Sequence, residues 1–288
     1  MNELRELSPE EFPPLLREIP DPPETLFLRG TLPSPELFFL SVVGSRRFTR
    51  YGEAVCRALV SSLRGLPVVV VSGLALGIDA IAHESALDVK LPTLAIPGSG
   101  LGDEVLYPRL HLDLAKRIME QGGGLLSEYP ANFKATTWSF PRRNRLMAGI
   151  SQATLIIEAE EKSGTLITAR LALDYNRDVL VVPGDIFSEA SRGTNRLIRD
   201  GATPITSPET LWEALGFKKE EYSAEERELE DLTPEERILW ELLREPHEKS
   251  DLFTKSELPI QLFNTSISLL EIKGLIEESL GEIRRKLS

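Results

Sequence analysis

From Leu40 onward, short apolar runs alternate with longer stretches in which apolar residues recur every three or four positions. The runs are LSVVG (40–44), PVVVVSG (67–73), TLAIPG (93–98), GLLSE (124–128), ATLIIEA (153–159) and DVLVVPG (178–184). Runs this uniformly apolar and rich in Val and Ile suit strands covered on both faces, as in a parallel sheet. The stretches between them predict helices near 50–64, 78–89, 108–121, 140–150, 164–176 and 191–200. Alternation at this spacing predicts an α/β fold, a doubly wound, mostly parallel Rossmann-like sheet over 41–215. Residues 1–40 carry eight prolines and read as an extended lead-in with little regular structure.

After Leu215 the pattern breaks. Segment 216–231 is dense in charge and poor in apolar residues, the profile of a linker or a solvated helix. Thr233-Pro234-Glu235-Glu236 then has the form of a helix start, with proline at the first helical position and a glutamate three residues after the cap. Helices follow near 234–244, 254–258 and 260–273, then a β-ribbon over 274–287 turning near Gly281. That order predicts a small winged-helix domain over 232–288.

Composition narrows the function classes. The net charge is −12, yet it is unevenly spread: residues 1–40 carry −5, residues 41–215 are neutral, and 216–288 carry −7. Within the neutral part, KATTWSFPRRNR (134–145) holds four cations and no acid, and GSRRFTRYG (44–52) holds three. Screening cuts remote charge off within ~10 Å, so such a patch can still hold a polyanion. The single cysteine, Cys56, points to a reducing, cytoplasmic setting. The acidic start has no apolar core of a secretory signal. No run is long enough to span a membrane, and three scattered histidines give no metal-ligand spacing.

Nearly every apolar run ends in a glycine-bearing loop: Gly44-Ser45-Arg46, Ser72-Gly73, Pro97-Gly98-Ser99-Gly100 and Pro183-Gly184; Ser163-Gly164-Thr165 precedes a further helix. In a parallel sheet these loops meet at the carboxyl edge, where bare backbone and helix N-termini receive phosphates. The dinucleotide fingerprint and the P-loop are both absent, which disfavours nicotinamide or ATP chemistry.

Six segments carry a closer likeness: VVGSRRFTRYG (42–52), VSGLALGIDAIAH (71–83), LAIPGSGLGDEVLYP (94–108), LLSEYPANFKATTWSFPRRNRLMAGIS (125–151), EAEEKSGTLITARLAL (158–173) and VLVVPGDIFSEASRGTNRLIRDGA (179–202). In these the chain resembles the DprA/Smf (DNA processing protein A) family over nearly all of 13–215. Only 40 residues precede the first strand, where members commonly carry a helical domain, and Lys90 lies slightly earlier than their usual basic residue. The resemblance implies a cytoplasmic homodimer of natural transformation that binds single-stranded DNA, shields it from nucleases and loads the recombinase RecA onto it. It implies no catalytic residue, cofactor or metal.

The residues agree with a DNA site. Gly44, Ser45, Arg46, Ser72, Gly73, Ser163, Gly164 and Thr165 would form the phosphate pocket, with Arg46 gripping a backbone phosphate. Lys134, Arg142, Arg143, Asn144 and Arg145 would supply a polar, positive track, and Phe133, Trp138 and Phe140 flat faces for bases. Packing into the core is the competing reading for the aromatics, as ion pairing to acids such as Glu158 or Asp174 is for Arg143 and Arg145. Asp79 and His83, four apart, have the spacing of a catalytic pair but read more simply as a helix-start residue and a hydrogen-bonded neighbour. Two alternatives share the same pocket. One is a nucleotide phosphoribohydrolase-like enzyme, although KSGTLITA (162–169) lacks that family's paired glycines and glutamate; the other is a nucleotide sensor. The C-terminal module has 8 basic and 12 acidic residues over 231–288, and its second long helix carries Lys273 alone at its end. It reads as a protein-contact module rather than a DNA reader.

Overall fold

The structure, a computed structural model, describes residues 4–218, 232–243, 246–279 and 281–285. The chain divides into two compact units, Met1–Glu221 and Tyr222–Ser288. Most of the expected linker, residues 219–231, lies outside the described residues, as does Lys286 of the expected wing.

All six apolar runs are strands of one nine-stranded sheet: β3 (Phe38–Val43), β4 (Val68–Ser72), β5 (Thr93–Ala95), β6 (Gly124–Ser127), β7 (Ala153–Ile156) and β8 (Asp178–Val181). They run parallel in the order β6-β5-β4-β3-β7-β8, and the two-residue β9 (Thr203–Pro204) extends the β8 side. Chain order reverses between β3 and β7, so a crevice opens there at the carboxyl ends. One helical layer contains α2 (Arg50–Ser61), α3 (Ile78–Asp88), α4 (Leu112–Glu120) and α8 (Pro208–Ala214). Against the other face lie α5 (Ser139–Ile150) and α6 (Thr165–Asp174), while α7 (Arg192–Arg199) packs on β8. The strands of VVVV (68–71) are wholly buried, as helices on both faces require.

The N-terminal segment departs from its expected form. Six of its eight prolines lie between two real strands, β1 (Leu4–Leu7) and β2 (Leu26–Gly30), joined by a short helix α1 (Pro14–Arg17). β1 pairs antiparallel with β2, and β2 pairs antiparallel with β6, which would otherwise be the sheet edge. The driving force is apolar: Leu7, Phe12, Leu16, Ile19, Leu26 and Leu28 are all buried in the main core. Residues 1–40 are therefore part of the large unit, not a lead-in to it.

The second unit has its own core around Leu239, Trp240, Leu252, Phe263, Ile267, Leu270 and Ile283. Its helices are α9 (Pro234–Leu242), α10 (Lys249–Ser256) and α11 (Ile260–Ile272). Thr233 caps α9 reciprocally with Glu236, as its sequence indicates. α10 occupies 249–256 rather than 254–258; it stops where Glu257 turns left-handed (φ 54°) before Pro259. The ribbon β11 (Ile276–Ser279) and β12 (Glu282–Arg285) gains a third strand, β10 (His247–Glu248), too short to show a pattern.

Candidate nucleic-acid interface

A cavity of about 360 Å³ lies at the switch point between β3 and β7. One wall is the loop after β3. There Arg47 donates its N–H to Ser45 Oγ (3.0 Å), and that hydroxyl returns a bond to the Arg47 carbonyl (2.9 Å). A side chain at Gly44 would stand 2.7 Å from Ile78, so glycine lets α3 pack against this loop. The opposite wall is the start of α6. Gly164 opens that helix without a side-chain cap, and Thr165 donates its hydroxyl to the Gly44 carbonyl (3.1 Å). The positive end of the α6 dipole therefore faces the cavity.

Two arginines differ sharply in role. Arg46 is exposed, and its guanidinium lies 5.1 Å above the Phe140 ring. Arg143 is buried on the floor, where it donates to the Gly73 and Ile96 carbonyls and, through Nε, to Asn144 Oδ1 (3.2 Å). Burial pulls its guanidinium down to about 10. Asp79 shares that floor; burial raises its carboxyl, opposed chiefly by the Arg143 charge and the Ala75 N–H. Asp79 and His83 form no dyad. His83 lies against Thr93 (2.7 Å), outside the cavity lining, and burial lowers it to about 3, so it is neutral at any working pH.

The cavity gathers Gly44, Ser45, Arg46, Phe140, Arg143, Asn144, Ser163, Gly164 and Thr165 from the expected set. Ser72 is not among them: it is still inside β4, and its hydroxyl donates to the Val42 carbonyl (2.6 Å). Gly73 lies beneath Arg143, whose guanidinium fills the space a side chain there would need. Arg145 faces neither Glu158 nor Asp174. It is buried against Glu128 and donates to the Asp21 carbonyl (2.7 Å), tying α5 to the N-terminal segment. Glu158 instead accepts from Thr49. Sequence reasoning missed Asp79, Arg47, Met147 and Thr168 as lining residues.

Beside the cavity, Phe133 stacks on Tyr129 (4.2 Å, 16°) and meets Trp138 edge-on (5.7 Å). Trp138, which meets Tyr129 edge-on as well (5.9 Å), is 53% exposed, so part of its indole faces solvent. Lys134 is exposed, with no ion pair among the described residues. Arg142 is exposed too, but lies 3.4 Å from Glu128 and is partly neutralised.

A family model, DNA recombination-mediator protein A, matches residues 4–216. The chain belongs to this family. It is 42% identical over 208 residues to Protein Smf of Escherichia coli K12, covering 72% of this chain and 55% of that protein. It is 37% identical over 219 residues to the DNA processing protein DprA of Bacillus subtilis 168, covering 75% and 72%. The chain thus spans little more than half the length of the Escherichia coli relative. Among solved structures, DprA of Streptococcus pneumoniae superposes with a TM-score of 0.67 at 34% identity, covering 73% of each chain. DNA processing protein A of Helicobacter pylori, studied for its unique single-stranded DNA binding mode, gives 0.66 at 30% identity, covering 77% of this chain and all of that one. In this family member the matched region is the large unit, which contains the cavity.

Proposed function

We propose that this chain binds single-stranded DNA through the switch-point cavity, as a cytoplasmic homodimer that protects incoming strands in natural transformation and loads the recombinase RecA onto them. The observation that carries the reading is the mouth of the cavity, where exposed Arg46 lies over the half-buried Phe140 ring opposite the α6 N-terminus. A phosphate finds there a fork of donors and a helix dipole. Trp138, a short way along, offers a sequence-tolerant face for a base, worth about 1–3 kcal/mol. Solved-structure likeness to the Helicobacter pylori protein supports the same reading.

Binding without turnover suits the floor: Arg143 and Asp79 are engaged with backbone and with each other's charge, and His83 is sealed away. Titration of fluorescent oligo-dT at several salt concentrations tests the proposal, beside nucleoside monophosphates under the same conditions. Salt-sensitive oligonucleotide binding is the expected result. Hydrolysis of a monophosphate would return the site to the phosphoribohydrolases, and tight mononucleotide binding with none to oligonucleotide would make it a sensor.

Two further outcomes follow. Lys134→Ala should weaken binding alike for all sequences and flatten the plot of log K against log salt by about 0.7, one counterion's worth on a single strand. An unaltered slope would place Lys134 off the path. Truncation after Gly216 removes 11 basic and 18 acidic residues and takes net charge from −12 to −5. The shortened chain should bind oligo-dT at least as well as the full one, because fewer negative charges repel the strand. A tenfold loss, about 1.4 kcal/mol, would assign the second unit to DNA.

A further inference from the structure

The second unit carries a surface that its own core leaves uncovered. α11 buries Phe263, Ser266, Ile267 and Leu270. Leu262, Leu269 and Ile272 lie on a different stripe, 44%, 38% and 82% exposed. With Thr265 these positions are spaced three, four and three apart, the a/d spacing by which one helix receives another. Solvation alone gives no reason for three large aliphatic side chains at that spacing on a 13-residue helix.

Nucleic acid is a poor occupant. The helix offers a phosphate no cation, since Glu271 is its only charged residue. Nearby basic groups are already engaged: Lys273 pairs with the buried Glu236 (2.8 Å), Arg284 with Glu277 (2.6 Å) and Lys255 with Asp251 (2.9 Å). Arg285 lies 4.2 Å above the Trp240 ring and donates to its carbonyl. Only Lys249 lacks such a partner among the described residues of this unit. The acids are the reverse case: Glu235, Glu241, Glu257, Glu271, Glu278 and Glu282 have no counter-cation among the described residues. A second copy of the unit would bring the same uncompensated acids against them.

We propose that the Leu262–Leu269–Ile272 stripe is the docking surface for a basic amphipathic helix of a partner protein. Apolar residues of that helix at heptad spacing would cover the stripe, and flanking Lys or Arg would answer Glu271 on the same helix and the excess of unpaired carboxylates on this unit. The surface is independent of the DNA site, so either reading can fail without the other.

The probes are two labelled helical peptides about three heptads long, with leucine at a and d and either lysine or glutamate at e and g. Each is titrated by fluorescence anisotropy into the full chain. The lysine peptide is expected to bind, more weakly as salt rises, and the glutamate peptide at least about tenfold more weakly. Leu262→Ser/Leu269→Ser/Ile272→Ser should lose about tenfold or more in affinity for the lysine peptide. Glu271→Lys/Glu278→Lys, which leaves every buried side chain in place, should weaken it too. Equal binding of both peptides, or an unchanged affinity in the serine variant, overturns the proposal. So does duplex DNA binding, or self-association by mass photometry, that the serine variant abolishes; these would hand the stripe to DNA or to a second copy.

Discussion

Arg46→Ala should weaken single-strand binding by about 1.5–3 kcal/mol, the worth of a charge-assisted hydrogen bond, or roughly 10- to 150-fold. The fold should survive, because this guanidinium is exposed and its removal opens no hole in the core. No ion pair holds it among the described residues; its neighbour is the Phe140 ring. Arg46→Lys should recover part of the loss, since an ammonium keeps the charge but neither the fork nor the flat stacking face. Anisotropy with oligo-dT reads the affinity and circular dichroism the fold. A folded alanine variant of unchanged affinity would remove Arg46 from the site.

Arg143→Ala should act on stability instead, by about 3–5 kcal/mol, the usual cost of leaving a buried charge without its partner. The substitution strands the Gly73 and Ile96 carbonyls and deprives Asp79 of the cation that most favours its charged form. The deficit should depend on pH. Burial already raises Asp79 above its ordinary 3.8, and loss of Arg143 raises it further. Folding then favours the protonated acid, so the penalty is full above the folded-state value and shrinks as pH falls towards 3.8. Urea unfolding of both chains at neutral and mildly acidic pH measures this. A deficit that stays constant or grows on acidification would show that Asp79 is not the stranded charge.

The parallel core was legible because burial on both faces writes itself as unbroken apolar runs, VVVV at 68–71 most plainly. β1 and β2 were not: β1 is four residues with no alternation, and the prolines around β2 mask its short alternating pattern. At the site, sequence reasoning gave Arg142 and Arg143 one role, but adjacent positions on a helix point about 100° apart. Arg143 shares its face with Leu146, Met147 and Ile150, all buried; that spacing was the available signal that it points inward. Ser45 and Ser72 both end apolar runs, yet only the first has left its strand. A difference of one or two residues in strand length decides it, finer than any apolar pattern can resolve.

β2 meets β6, its neighbour on the sheet side, late in the life of the chain. Leu28 pairs opposite Leu126, so during synthesis the strand waits for nearly a hundred further residues, roughly 5–20 s at ordinary elongation rates. Through that interval LFLRG has only the four-residue β1 beside it and its other edge lies open, the kind of segment that seeds association between nascent chains. Pro20, Pro22 and Pro23 stand before it and Pro33 and Pro35 after it. None can donate a ladder hydrogen bond, so a stray pairing cannot spread beyond the strand itself. The prolines that hide β2 from a reader of the sequence also hide it from other chains.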